Sequence, residues 1–237
     1  SNFPGYFNSY GMHTLHGRSL AVATGAKMAN HELTVLVTGG DGDGFGIGGN
    51  HFTHTARKNV HLTYVVMDNS VYGLTKKQTS PTSPIGFKSK TDMWGAMDQP
   101  INPCKQAISA GASFVARTTH TNPKHLLAMM EAAMDHNGFG FIHCLSECTE
   151  FYNGAFDASN PRKGGEFLEV PADHDVTDEH AAYQLAGEPF PGHFGIFRQV
   201  DQPSKNDKEY GLNAKMQAKV EGLKDWEILQ QNFDKMK

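Results

Sequence analysis

Seven glycines fall among the eleven residues from Gly39 to Gly49, in the run TGGDGDGFGIGGN. The run follows a short apolar, β-rich stretch, Leu33 to Thr38, and precedes a segment with helical spacing. A strand, a glycine-rich turn and a helix N-terminus in that order bring backbone N–H groups to a phosphate. A turn without a ligand needs fewer glycines, since each costs about 0.5–1 kcal/mol of chain entropy. No Gly-Lys-Ser/Thr follows, which excludes a P-loop. Two phosphate chemistries fit the remaining residues. In one, Gly44, Gly46 and Gly49 form GxGxxG, and Asp68, 24 positions after Gly44, is the acid that holds a dinucleotide's ribose. In the other, Asp41 and Asn69, 28 positions apart, join a backbone carbonyl of the VYG segment. Three such oxygens suit a hard divalent ion such as Mg2+, which in turn clamps a diphosphate.

The elements that must position these residues alternate in type. Thr14 to Ala29 carries small and apolar residues at helical spacing, and Gly46 to Lys58, Asn102 to Gly111 and Pro123 to Asp135 read as further helices. Leu33 to Thr38, Leu62 to Met67, Ser113 to Arg117 and Phe139 to Leu145 read as strands buried on both faces. The alternation predicts an α/β fold with a doubly wound, mostly parallel sheet, in which carboxyl strand ends share one crevice. Residues 1–150 are expected to form this domain. Residues 151–237, rich in Pro, Gly, Asp and His, are expected to be an irregular, partner-facing C-terminal extension, with one polar amphipathic helix from Ala214 to Phe233. Charge divides along the same line: the first part carries 11 Lys+Arg and 10 Asp+Glu, the second 10 and 15, for a net of -4. That balance argues against a nucleic-acid backbone or an anionic membrane as partner. No run approaches the roughly 18 apolar residues of a membrane span, and no signal-peptide pattern opens the chain. With three cysteines, too few for a disulfide framework, the expectation is a soluble, cytoplasmic protein.

Four segments carry a resemblance. MHTLHGR (Met12 to Arg18), GGDGDG (Gly39 to Gly44), MDNSVYGLTKKQTSPTSP (Met67 to Pro84) and LSECTEFYN (Leu145 to Asn153) together resemble the thiamine diphosphate-binding β subunits of the 2-oxoacid:ferredoxin oxidoreductases. A later stretch, AGEPFPGHFGIFRQ (Ala186 to Gln199), is similar to the 2-oxoglutarate-type branch. The resemblance implies a thiamine diphosphate-binding fold in which Asp41, Asn69 and the main-chain oxygen of Val71 ligate Mg2+. Gly42, Asp43, Gly73 and Leu74 would line the diphosphate, with His16 touching the cofactor from the first helix. Asp43 equally suits a cap on the helix that follows. Lys76, with His16 in the catalytic set, would offer its cation to a 2-oxoacid carboxylate or to coenzyme A phosphates. Arg18 reads as structural.

The implied reaction is oxidative decarboxylation of a 2-oxoacid, 2-oxoglutarate or pyruvate, to acyl-CoA and CO2, with electrons passed through a 4Fe-4S cluster to ferredoxin. Two other readings of the turn stay open: a non-oxidative thiamine diphosphate decarboxylase or synthase subunit, and a nicotinamide-dependent dehydrogenase. In thiamine enzymes a Glu beside the aminopyrimidine promotes formation of the reactive carbanion. Before residue 151 only Glu32, Glu131, Glu147 and Glu150 occur, none at a cofactor-facing turn. An α (or α/γ) subunit carrying a pyrimidine-binding domain is therefore implied.

Of the cysteines, Cys104 and Cys144 read as small core residues. Cys148 lies in the segment that resembles the family's source of one 4Fe-4S thiolate, and a cubane cluster takes four. The family's other three ligands, a Cys-x-x-Cys pair and a Gly-Cys-Ser cysteine upstream of a stretch like SNFPGYF, are not among these 237 residues. The resemblance thus implies an incomplete subunit, in which Cys148 is a residual ligand and no 4Fe-4S cluster is expected.

Overall fold

A computed structural model describes residues 3–236. Ser1 and Asn2, at the head of the glycine-rich opening stretch, lie outside them. The chain builds one six-stranded sheet of order β1-β2-β4-β3-β6-β5, from β1 (Leu36–Gly40), β2 (Leu62–Asp68), β3 (Phe114–Thr119), β4 (Phe139–Leu145), β5 (Leu168–Glu169) and β6 (His193–Gln199). The neighbours β1/β2, β2/β4 and β3/β4 run parallel, while β6 runs antiparallel to β3. The expected mostly parallel α/β sheet is borne out.

Helices α1 (Ser19–Ala29), α2 (Gly49–Lys58), α3 (Pro103–Ser109), α4 (Pro123–Asp135) and α5 (Glu179–Ala186) surround the sheet. Both α3 and α4 start as their sequences dictate, with an Asn side chain accepting the N3 amide and a Pro in the first turn. The β2 and β4 strands are buried almost throughout, which matches their unbroken apolar runs. One face of the sheet closes over Phe52, Tyr64, Phe139, Phe141 and Phe197, each 1% exposed or less. The Phe52 and Phe141 rings meet edge to face at 5.0 Å, a geometry worth about 0.5–1.5 kcal/mol beyond area burial.

Three expectations differ from the structure. The first helix begins at Ser19, not Thr14, because Gly17 takes φ +73° and breaks the backbone ahead of it. The first strand runs from Leu36 to Gly40, sliding into the two glycines that the sequence assigned to the turn. Residues 151–237, expected to be irregular until Ala214, carry α5 and two strands as well as α6 (Lys205–Val220) and α7 (Asp225–Asp234). Strand β6 pairs with β3, and its Phe194 and Phe197 are fully buried. A strand buried on both faces needs no polar alternation, so the periodicity that marks a half-exposed strand is missing from HFGIFRQ.

One residue ties the distant parts together. Asn59 ends α2 in the left-handed region, φ 53°. Its Oδ1 accepts from Ser113 Oγ (2.6 Å) and from the Phe139 amide (2.8 Å), and its carbonyl accepts the Lys205 amide at 2.9 Å.

Candidate functional site

The register Gly40↔Met67 between β1 and β2 sets the next residues of each chain, Asp41 and Asp68, side by side at the carboxyl edge. Both are 2% exposed. Thr82 Oγ1 lies 3.0 Å from Asp41 Oδ2 and 2.8 Å from Asp68 Oδ1. A hydroxyl has one proton, so Thr82 donates to only one of the two carboxylates at a time. Burial and then repulsion from Asp68 push the Asp41 carboxyl up to about 6. Asp68 takes the opposite course: burial would raise it, but a hydrogen bond from His143 and the charge of that ring, with Thr82 and the Ser70 amide, hold it below the usual carboxylate range. His143 Nε2 lies 2.8 Å from Asp68 Oδ2. Burial alone would lower His143, yet Asp68 and Cys104 raise it to about 9.

Asn69 follows Asp68, and its amide donates to Asp41 Oδ1 at 3.4 Å. Its own Oδ1 accepts the Val71 amide at 3.1 Å, an Asx turn that bends the chain back toward β1. The structure thus brings Asp41, Asn69 and Val71 together. The donor set would suit a hard divalent cation: all three candidate donors are oxygen, and Asp41, unlike Asp68 with its His143, has no cationic side chain paired with it among the described ion pairs.

The glycine-rich run is not an open loop. Gly42 to Ile47 winds as a π-type turn that leads directly into α2. The glycines have packing reasons that the sequence reading assigned to a phosphate. A Cβ on Gly42 would come within 2.1 Å of the Tyr72 ring, and one on Gly39 or Gly44 within 2.7 or 2.5 Å of the Tyr64 hydroxyl. The Tyr72 hydroxyl in turn donates to the Gly42 carbonyl at 3.2 Å. Only around Gly40 and Gly49 would a Cβ find ordinary contact or open space.

Asp43 does not cap a helix. Its Oδ1 accepts the Gly17 amide at 2.6 Å and lies 3.1 Å from His16 Nδ1, so it staples the turn before α1 to the glycine-rich run. Since α1 begins only at Ser19, His16 sits in that turn and not in the first helix, with its side chain 57% exposed. Arg18 serves the same join, its Nη1 donating to the Ile47 carbonyl at 3.2 Å.

The loop after β2 is held in sparsely populated backbone. Three of the four described non-glycine residues with positive φ fall in it: Ser70 at 55°, Lys76 at 65° and Lys77 at 71°. Each such residue costs on the order of 1 kcal/mol, and such strain clusters at functional sites. Ser80, Thr82 and Ser83 are buried and brace the loop, with Ser83 Oγ donating to the Ser70 carbonyl at 2.7 Å. Leu74 is fully exposed at the tip and Lys76 is exposed beside it. Gly73 faces Cys148, whose Sγ would lie 3.7 Å from a Cβ there. Cys104 and Cys144 are buried, as expected.

The dinucleotide reading loses its acid. Asp68 is fully engaged by His143, Thr82 and Ser70, and is buried away from any ribose. Thr82, Tyr72 and His143 are the site residues that sequence reasoning passed over. The SPTSP segment lay within the recognised motif, but a 41-residue separation between Asp41 and Thr82 carries no spacing signal.

Comparison with known proteins supplies the context. Residues 1–144 match the family of the thiamine pyrophosphate enzymes' C-terminal TPP binding domain. The 2-oxoglutarate oxidoreductase subunit KorB of Mycobacterium tuberculosis is 42% identical over 158 residues, 67% of this chain and 42% of that one. The 2-oxoglutarate synthase subunit KorB of Methanothermobacter marburgensis is 35% identical over 226 residues, 94% of this chain and 78% of that one. The chain therefore spans under half the length of the first relative and about four fifths of the second. A solved 2-oxoglutarate:ferredoxin oxidoreductase from Magnetococcus marinus, with 2-oxoglutarate, coenzyme A and succinyl-CoA bound, superposes with a TM-score of 0.86 at 37% identity, over 97% of this chain and 78% of its own. The chain belongs to the thiamine pyrophosphate enzymes and, within them, to the β subunits of the 2-oxoacid:ferredoxin oxidoreductases.

Proposed function

We propose that this chain works as the thiamine diphosphate-binding β subunit of an enzyme that oxidatively decarboxylates a 2-oxoacid, 2-oxoglutarate in preference to pyruvate, to acyl-CoA and CO2. The observation that carries the reading is the meeting of Asp41 and Asn69 at adjacent carboxyl strand ends, with a buried, repelling acid pair that calls for a cation. Asp41, Asn69 and the Val71 carbonyl would hold Mg2+, and Gly42, Asp43, Gly73, Leu74 and His16 would line the diphosphate. Thiamine diphosphate supplies the carbanion chemistry when bound. The residues of this chain do the rest. Asp43 fixes the imidazole of His16 at the rim of the site, Thr82 and Asp68 orient Asp41, and the strained loop presents Leu74 and Lys76 to the solvent side. Lys76 would meet the anionic carboxylate of the 2-oxoacid or the phosphates of coenzyme A.

Cys148 would donate one thiolate to a 4Fe-4S cluster that hands electrons to ferredoxin, its position behind Gly73 keeping that cluster close to the cofactor loop. An α subunit would complete the pyrimidine side, and the tail beyond Glu150 would contribute to that interface. Among the described residues no helix is long and apolar enough to cross a membrane, in keeping with a cytoplasmic enzyme. Thermal stability of the chain with Mg2+ and thiamine diphosphate, or with NADH, tests the reading. Stabilisation by the thiamine cofactor that disappears in Asp41→Ala is expected; stabilisation by NADH alone would overturn it.

A further inference from the structure

A cavity of about 320 Å³ lies beneath the carboxyl ends of β2, β4 and β3, on the inner side of the acid pair. Its walls are mostly apolar, from Ile101, Leu145, Phe156 and Phe190 among others. Four acidic, basic or imidazole side chains line it: Asp68, Arg117, His143 and Glu188. Three of them are already engaged in pairs that line or flank the cavity. Asp68 Oδ2 lies 2.8 Å from His143 Nε2, and Glu188 Oε2 lies 2.6 Å from His193 Nδ1.

Arg117 is the residue left over. It is 6% exposed and forms no ion pair with any described carboxylate. Its Nη2 donates to the Ala186 carbonyl at 3.2 Å, its guanidinium carbon stands 5.2 Å over the Phe197 ring, and its Nε has no hydrogen-bond partner. A buried guanidinium without a counter-charge is costly, and buried charges in folded proteins are nearly always paired. The surplus of positive charge is felt next door: burial pushes the Cys104 thiol up, yet Arg117 and His143 more than offset this and hold it below its ordinary value.

We infer that this cavity is a binding site for a small organic monoanion, a single carboxylate on a short apolar body, with Arg117 as its counter-ion. The apolar walls exclude a strongly hydrated inorganic ion, and the carboxylates of Asp68 and Glu188 oppose a second negative charge on the ligand. None of the proposed Mg2+ or diphosphate residues lines the cavity, although Asp68 and Thr82, which brace Asp41, do.

Calorimetric titration of the full chain with butyrate, without Mg2+ or thiamine diphosphate, tests this independently of the proposed activity. Saturable binding is expected for butyrate. Butyramide, which lacks the charge, should bind about tenfold more weakly or worse, as should butyrate to Arg117→Met, since a charge-assisted hydrogen bond contributes about 1.5–3 kcal/mol. Should Arg117→Met fail to fold, the exposed-side variant Glu188→Gln serves, because removing a competing carboxylate should tighten butyrate several-fold. Absence of saturable binding, equal affinity for butyramide or inorganic phosphate, or no response to either substitution would overturn the inference. So would an ionised Cys104 in the ligand-free protein at pH 7, read as thiolate absorbance missing from Cys104→Ser, because the guanidinium would then already be neutralised.

Discussion

Asp41→Asn should stabilise the metal-free protein. The carboxyl of Asp41 is pushed from 3.8 to about 6 by burial and by Asp68, so at neutral pH the folded state holds a carboxylate that the unfolded chain holds more comfortably. Two pKa units correspond to about 3 kcal/mol, as an upper figure, because the cation-free site is where the repulsion is felt in full. The amide keeps the polar contacts. Its oxygen can still accept the Asn69 amide, and its NH2 can donate to Thr82 Oγ1, which then spends its one proton on Asp68. At about 2–4 °C per kcal/mol for a chain of this size, the variant should melt some 6–12 °C higher in a chelator at pH 7. The sign fixes the pH window. An acid whose folded pKa is raised destabilises fully above that pKa and not at all below its unfolded value, so the gap should close as pH falls from 6 toward 4. Melting by circular dichroism across that range is the assay. A variant that melts at or below the parent at pH 7, or a gap that stays constant to pH 4, would refute the electrostatic account. Adding Mg2+ and thiamine diphosphate should nearly close the gap at a hundredfold excess over Kd, where the parent alone gains about 2.7 kcal/mol, and reverse the order at a thousandfold excess, where it gains about 4.1 kcal/mol.

Three further outcomes follow from the packing and the charges. Asn59→Ala removes the acceptor of the Ser113 hydroxyl and the Phe139 amide and puts an alanine at φ 53°, so a loss of about 3 kcal/mol is expected in urea unfolding. Gly42→Ala drives a methyl into the Tyr72 ring and should weaken cofactor-induced stabilisation and cost about 1–3 kcal/mol, whereas Gly49→Ala, in a helical position with open space, should gain about 0.5–1 kcal/mol. His143, raised to about 9 by its contact with Asp68, contributes stability that is complete below pH 6.5 and lost as pH climbs through 9; the parent should weaken between pH 7 and 10 more steeply than His143→Gln.

The parallel part of the fold was legible because its signals are local. Helix α4 and strand β4 start and stop where Pro123 and the run Phe139 to Leu145 say they should. The meeting of Asp41, Asn69 and Val71, the trio proposed to hold a metal, was legible through a motif and through the rule that carboxyl strand ends face one crevice. What stayed hidden was non-local. No periodicity shows that Gly17 must be left-handed or that Gly42 makes room for a tyrosine thirty residues later. Four of the seven glycines also make room for Tyr64 or Tyr72, a reason that counting glycines does not show. Arg117 looked like an ordinary strand residue, and its lack of a counter-charge is visible only once β3, β4 and α3 are packed together.

The antiparallel strand from the last third of the chain has a consequence for biosynthesis. Until residues 193–199 leave the ribosome, β3 has a bare edge of unpaired amides and carbonyls, and the four parallel strands already made have no cover on that side. Asn59 likewise waits for Gln202 and Pro203, more than 140 residues downstream, to occupy its amide group. Such late, long-range pairing is slow and leaves nascent chains exposed to edge-to-edge association. Ribosome-stalled chains from which residues 193–199 have not emerged should therefore bind chaperones that recognise open strand edges, and chains from which everything through residue 206 has emerged should be released from them.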